Sequence, residues 1–138
     1  VHKSSDIELD LAEDLPKLQG NAQKIEQVLI NLIINASQAM NDEKRGLIKV
    51  TARGSESGVT IEIADNGKGM SEGTLKSIFD PFFTTKRARG GTGLGLSIVY
   101  RIIEEHRGTI TAASEVGVGT LFTISLPNPR MSAAPGLN

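Results

Sequence analysis

The stretch Thr84–Tyr100, TTKRARGGTGLGLSIVY, constrains the chain most, because three unlike demands follow one another without a break. Lys86, Arg87 and Arg89 put three cations into four positions, and Gly90, Gly91, Gly93 and Gly95 put four glycines into six. An apolar run with helical spacing follows at once. Glycine lets the backbone adopt φ > 0 and lets a ligand approach the main chain. A helix that starts behind such a loop aims free N–H groups and a partial positive charge at whatever lies in front of it. Between Pro81 and Ile103 there is no acidic residue to neutralise the cations internally, so the loop calls for an anion from outside. Taken alone, these residues fit a plain glycine loop leading into a core helix equally well. The neighbouring segments have to decide.

Ile7, Leu9 and Leu11 alternate with Asp6, Glu8 and Asp10, the pattern of a half-buried strand that ends by Pro16. Leu18 before Gly20 leaves room for a short second strand at most, and Asn21 is placed to cap a helix. From Ile25, the residues Val28, Leu29, Leu32, Ala36, Ala39 and Met40 recur at three- and four-residue steps, which predicts an amphipathic helix to about Met40. Gln27, Asn31, Asn35 and Gln38 share one face of it. Asparagine is a poor helix former, so two of them one turn apart mark either a solvated face or amides turned toward a ligand.

Ile48, Val50 and Ala52, then Val59, Ile61 and Ile63, read as two strands joined through Gly54–Gly58. The second delivers Asp65 at its end, followed by Asn66-Gly67-Lys68-Gly69, a sequence that favours a sharp turn with φ > 0. An aspartate there serves as a ligand contact or merely starts the turn. Ser71 is placed to cap a short helix with Leu75, Ile78 and Phe79 inward, and Pro81 stops it. Phe82 and Phe83 fit either an apolar hinge under the basic loop or a core contact. A helix with Leu96, Val99, Ile102 and Ile103 on its apolar face is expected to end near Gly108 as C-terminal cap. Strands at Thr109–Ala113 and around Phe122, Ile124 and Leu126 close the pattern at Pro127; residues 128–138 have the composition of a disordered tail.

At 138 residues and a net charge of −1, the chain has the size of one domain and lacks the basic surface of a nucleic-acid binder. It has no cysteine and two histidines, which makes a zinc site improbable and suits a reducing cytosol. No run approaches the length of a membrane span, so direct membrane contact is not expected of this domain, although a membrane-anchored parent protein is compatible with it.

The order of these segments resembles the ATP-binding catalytic domain of sensor histidine kinases, a branch of the Bergerat-fold ATPases. Asn31-Leu-Ile-Ile-Asn35-Ala looks like that family's N box, and Asp65-Asn-Gly-Lys-Gly69 like its first glycine box. Phe79-Asp-Pro-Phe82-Phe83 is similar to its F box, Gly91-Thr-Gly93-Leu-Gly95-Leu to its second glycine box, and Gly117-Val-Gly119-Thr120 to its final element. Neither the Rossmann nor the Walker phosphate fingerprint occurs. The resemblance implies a two-layer α/β sandwich, in which a mixed, mainly antiparallel sheet is covered on one face by three helices. It implies one domain over residues 1–127, with a flexible lid over the nucleotide.

By the same resemblance the ligands are ATP and Mg²⁺. Asp65 would accept the adenine amino proton with Thr120 in support, directly or through water. Asn35 would ligate the metal through its amide oxygen, and Asn31 would lie near the phosphates or the metal. Gly67, Gly69 and Met70 would admit base and sugar. Gly91, Thr92, Gly93, Leu94, Gly95 and Leu96 would wrap the phosphates, with Phe83 at the base of the lid. Lys86, Arg87 and Arg89 would clasp the triphosphate, Lys86 being grouped with Asn31 and Asn35 as catalytic. In hydrolytic relatives the position of Asn31 is usually a glutamate that activates water; an amide cannot act as that base. That fits a domain that passes the γ-phosphate to a nucleophile other than water, and the resemblance implies that this nucleophile is a histidine. Neither His2 nor His106 has the sequence context of the family's acceptor, so a histidine-bearing dimerisation domain of the same protein is expected upstream. A response regulator would act through that domain. The isolated domain is expected to be monomeric and to turn over little ATP. Against this stand a hydrolysing Bergerat ATPase, a serine kinase of the anti-sigma kind, and an inactive nucleotide-binding module, the last disfavoured by the presence of Asn35.

Overall fold

A computed structural model of the chain describes residues 5–11, 22–40, 45–79 and 95–127. Its elements are β1 (Ser5–Leu11), α1 (Ala22–Gln38), β2 (Gly46–Ser55), β3 (Gly58–Asp65), α2 (Glu72–Ser77), α3 (Gly95–Glu105), β4 (Thr109–Glu115) and β5 (Gly119–Pro127). The strands form one five-stranded sheet in the order β1-β2-β3-β5-β4. Only the β1–β2 pair is parallel. The sheet is thus mixed and mainly antiparallel, and three helices accompany it, as expected.

Strand alternation decides which face is covered. Ile48, Val50 and Ala52 of β2 stand opposite Asp65, Ile63 and Ile61 of β3, and the same parity runs through Phe122 and Ile124 of β5 to Ala112 and Ile110 of β4. The apolar members of these rows pack against Val28, Leu32 and Ala36 of α1, Ile78 behind α2, and Val99, Ile102 and Ile103 of α3. On the other parity Lys49, Arg53, Thr60, Thr109 and Ser125 are exposed, and Thr51, Glu62 and Thr123 are half-buried. Two layers result, with the core between them.

The two hairpins are tighter than the sequence suggests. β2 runs to Ser55 and β3 begins at Gly58, so two residues make the first turn. Ser71 caps α2 through its hydroxyl, which accepts from the Thr74 amide at 3.2 Å. At the end of α3 the left-handed residue is Arg107 (φ 59), not Gly108, and the Gly108 amide closes the cap by donating to the Ile103 carbonyl at 2.9 Å. His106 Nδ1 lies 2.8 Å from the Ile102 carbonyl, which places it as a helix-end residue.

β1 departs from the expected half-buried strand. Ile7 and Leu9 point to the covered face by register with Ile48 and Val50, yet they are 53% and 64% exposed. The cause is position: β1 is an edge strand, and α1 lies over β2 and β3 instead. Asn21, the short second strand near Leu18 and the 128–138 tail lie outside the described residues. No helix among the described residues is long and apolar enough to cross a membrane.

Candidate functional site

At one end of the covered face the rows of aliphatic side chains give way to polar ones. Asp65 of β3 stands opposite Thr120 of β5, and Thr120 stands opposite Ser114 of β4. The three follow directly on Ile63, Phe122 and Ala112, so strand parity aims them at the same side as the core. Thr120 is the buried polar side chain of this set, at 7% exposure. Burial of a hydroxyl requires a partner, and Ser114 Oγ supplies it at 2.8 Å. Asp65 Oδ1 accepts from the Gly67 amide at 2.8 Å. That contact orients the carboxylate at the mouth of the core, and an ionised carboxylate is an acceptor only.

The 66–70 turn wraps this corner. The Lys68 amide donates to the Ala39 carbonyl at 2.8 Å, and the Gly117 amide donates to the Lys68 carbonyl at 2.8 Å. Glycine is required at Gly67 for space, not for conformation: its φ is not positive, and a Cβ would collide with the Ala39 carbonyl oxygen. The expected φ > 0 falls on Gly69 instead, at +72, where a Cβ would also run into the Glu115 carbonyl. Asn66 acts as an honorary strand residue. Its Oδ1 accepts from the Leu47 amide at 2.8 Å and its Nδ2 donates to the Arg45 carbonyl at 3.0 Å, which prolongs the β2–β3 pairing beyond Asp65.

The polar stripe of α1 divides in two. Gln27 and Gln38 are exposed, whereas Asn31 and Asn35 are half-buried beside the seam of Val28, Leu32 and Ala36. Neither asparagine side chain is hydrogen-bonded to another described residue. Asn35 sits one turn before Ala39, whose carbonyl receives the Lys68 amide, so the end of α1 abuts the glycine turn. Half-buried amides without a partner among the described residues suit an oxygen-seeking cation that keeps most of its shell for water and ligand oxygens. No cluster of three or more His, Cys, Asp or Glu side chains fit for a metal ion exists among the described residues.

The structure therefore brings Asp65, Gly67, Gly69, Met70 and Thr120 together, with α1 beside them. Met70 and Leu96 also pack against the core, and Gly95 opens α3. Phe79 lies half-buried between Tyr100 (ring centroids 5.4 Å apart) and Phe122 (6.4 Å). Phe83, Lys86, Arg87, Arg89, Gly91, Thr92, Gly93 and Leu94 lie outside the described residues. Ser114 and the side-chain role of Asn66 are additions to the residues expected at the site. Ser114 had a signal: it is a hydroxyl at the inward parity of Ile110-x-Ala112-x-Ser114.

The chain is similar to known proteins in sequence and in fold. Residues 20–130 match the family model described as histidine kinase-, DNA gyrase B- and HSP90-like ATPase. The sensor histidine kinase ZraS of Escherichia coli (strain K12) is 47% identical over 115 residues, covering 83% of this chain and 24% of that protein. The chain thus spans about a quarter of the length of that relative. The catalytic domain of the histidine kinase ThkA superposes with a TM-score of 0.77 at 36% identity, covering 90% of this chain and 80% of that one. Full-length ShkA in complex with AMPPNP superposes at 0.76 with 29% identity, covering 89% of this chain and 25% of that one. A family model spanning most of the chain, together with the ThkA catalytic-domain match, places this chain in the histidine kinase-, DNA gyrase B- and HSP90-like ATPase family.

Proposed function

We propose that this chain, over residues 1–127, is the ATP-binding catalytic domain of a sensor histidine kinase. It binds ATP with Mg²⁺ and passes the γ-phosphate to a histidine on a dimerisation domain of the same protein, from which a response regulator receives it. The observation that carries the reading is the corner itself. Asp65, held by the Gly67 amide and flanked by the buried Thr120, offers fixed acceptors at the mouth of an apolar core, a setting matched to an exocyclic amino group. The complex of the related ShkA with AMPPNP supports an adenine nucleotide as the ligand.

Asn35 would hold the metal through its amide oxygen and Asn31 would lie by the phosphates, while Gly67, Gly69 and Met70 line the base and sugar. Bound Mg²⁺ would neutralise phosphate charge. The lid residues Phe83, Lys86, Arg87, Arg89 and Gly91 to Leu96 would close over the triphosphate. Asn31 decides between transfer and hydrolysis, because a half-buried amide cannot take a proton from water. Catalysis then consists of positioning and charge neutralisation.

Calorimetric titration of Asp65→Asn with ATP and Mg²⁺ tests the corner. A loss of about 1.5–3 kcal/mol is expected for a hydrogen bond to a charged group, and unchanged affinity refutes the assignment. Transfer of labelled phosphate to a separately supplied dimerisation domain, with an acid-labile product, tests the kinase reading. An acid-stable product would point to a serine kinase.

A further inference from the structure

Ser114 has no place in the reading above, yet three groups of the candidate site converge on its hydroxyl. The Met70 amide nitrogen lies 2.8 Å from Ser114 Oγ, the Gly119 carbonyl oxygen 3.0 Å and Thr120 Oγ1 2.8 Å. A serine hydroxyl has one proton and two lone pairs. The Met70 amide can only donate, so it takes one lone pair. The Gly119 carbonyl can only accept, so it takes the proton. The third contact is then satisfied in a single way: Thr120 donates its own proton into the remaining lone pair.

The consequence lies on the other side of Thr120. With its proton committed to Ser114, Thr120 Oγ1 turns only lone pairs toward the corner it shares with Asp65. The carboxylate beside it is likewise an acceptor. We infer that Ser114 is a specificity-determining positioning residue, which holds Thr120 as an acceptor so that the Asp65–Thr120 edge admits a purine carrying an amino group at position 6. A purine with a carbonyl there would set lone pair against lone pair, and an unsatisfied buried pair of this kind is costly. Without Ser114 the Thr120 hydroxyl is free to rotate and to donate to such a carbonyl. The inference rests on the proposal that Asp65 and Thr120 receive the base.

ATP and inosine triphosphate, which differ in the 6-amino and 6-oxo group, are the probes. Their dissociation constants are measured for the unaltered chain, Ser114→Ala, Ser114→Thr and Asp65→Asn, with thermal unfolding as a check on fold. The unaltered chain should prefer ATP, Ser114→Ala should narrow the ratio of the two constants by about tenfold, and Ser114→Thr should restore it. Should Ser114→Ala fail to fold, Ser114→Cys keeps the volume, weakens the hydrogen bonds and should narrow the ratio in part. Equal weakening of both nucleotides by Ser114→Ala, with the ratio intact, would overturn the inference and leave Ser114 a purely structural residue. If Asp65→Asn abolishes the preference and Ser114→Ala does not, the base-binding corner stands and the role of Ser114 falls. Indifference of the unaltered chain to the two nucleotides would remove both.

Discussion

Gly69 and Gly73 stand four residues apart and answer to opposite demands. Gly69 is held at φ +72 with its missing Cβ directed at the Glu115 carbonyl, a backbone atom that cannot swing away. Gly69→Ala should therefore cost well over about 1 kcal/mol, visible as a lowered urea midpoint, and should loosen the corner around Asp65. Gly73 lies inside α2 with nothing near its Cβ position, so Gly73→Ala should raise stability by about 0.5–1 kcal/mol through helix propensity alone. Asn35→Ala belongs with neither. Its side chain is half-buried and makes no hydrogen bond to a described residue, so the unfolding midpoint should hold while phosphotransfer disappears. Loss of fold in that variant would mean that the amide serves packing. At this scale the sequence disclosed the residue types of the site but not their reasons. The need for glycine at Gly67 arises from a carbonyl 28 positions away at Ala39, which no local pattern reveals.

Among the elements, β1 is the instructive one. Its alternation of Ile7 and Leu9 with acidic residues announced a strand and even the correct parity, but not its neighbours. Burial depends on what crosses above a strand, and that is settled by long-range packing. The parallel partnership with β2 was no more legible for the same reason. The polar parity of β1 is tied down by charge: Arg45 Nε and Nη2 reach Asp6 Oδ2 and Oδ1 at 2.7 and 2.9 Å, and Arg53 Nη2 reaches Asp10 Oδ2 at 3.3 Å. The hydrogen bonds from Arg45, aided by its charge, hold the Asp6 carboxyl below the ordinary value of 3.8. A lowered folded-state pKa contributes stability above the unfolded value, which is lost as pH falls through the folded one. Because the pair is exposed, the effect is small and salt-sensitive. A carbon-detected NMR titration should place the Asp6 midpoint below 3.8 and return it toward that value in Arg45→Ala. By contrast α1 was read well from its spacing, because the seam of Val28, Leu32 and Ala36 is a local property of the helix.

For the whole molecule, the chain spans about a quarter of the length of its relative ZraS, and the proposed reaction would be shared with the proposed dimerisation domain. ATP with Mg²⁺ should stabilise the isolated chain by about 2.7 kcal/mol at a hundredfold excess over the dissociation constant, read as a rise in the thermal midpoint. Steady-state hydrolysis should stay near background, and substantial turnover would argue for a water-activating ATPase instead. The order of the layers was legible as a succession of periodicities. The place of β5 between β3 and β4 was not, because strand order is a property of packing. That order is what lets the 66–70 turn hang from several places at once: from the end of α1 through Ala39, from β2 through Leu47, from β4 through Ser114, and from the β4–β5 turn through Gly117. In hydrogen exchange such a turn cannot open by itself. The amide protons of Lys68, Met70 and Gly117 are expected to leave only when helix layer and sheet part company, on the slow clock of β3. By outline the segment is a loop; by exchange it belongs to the core.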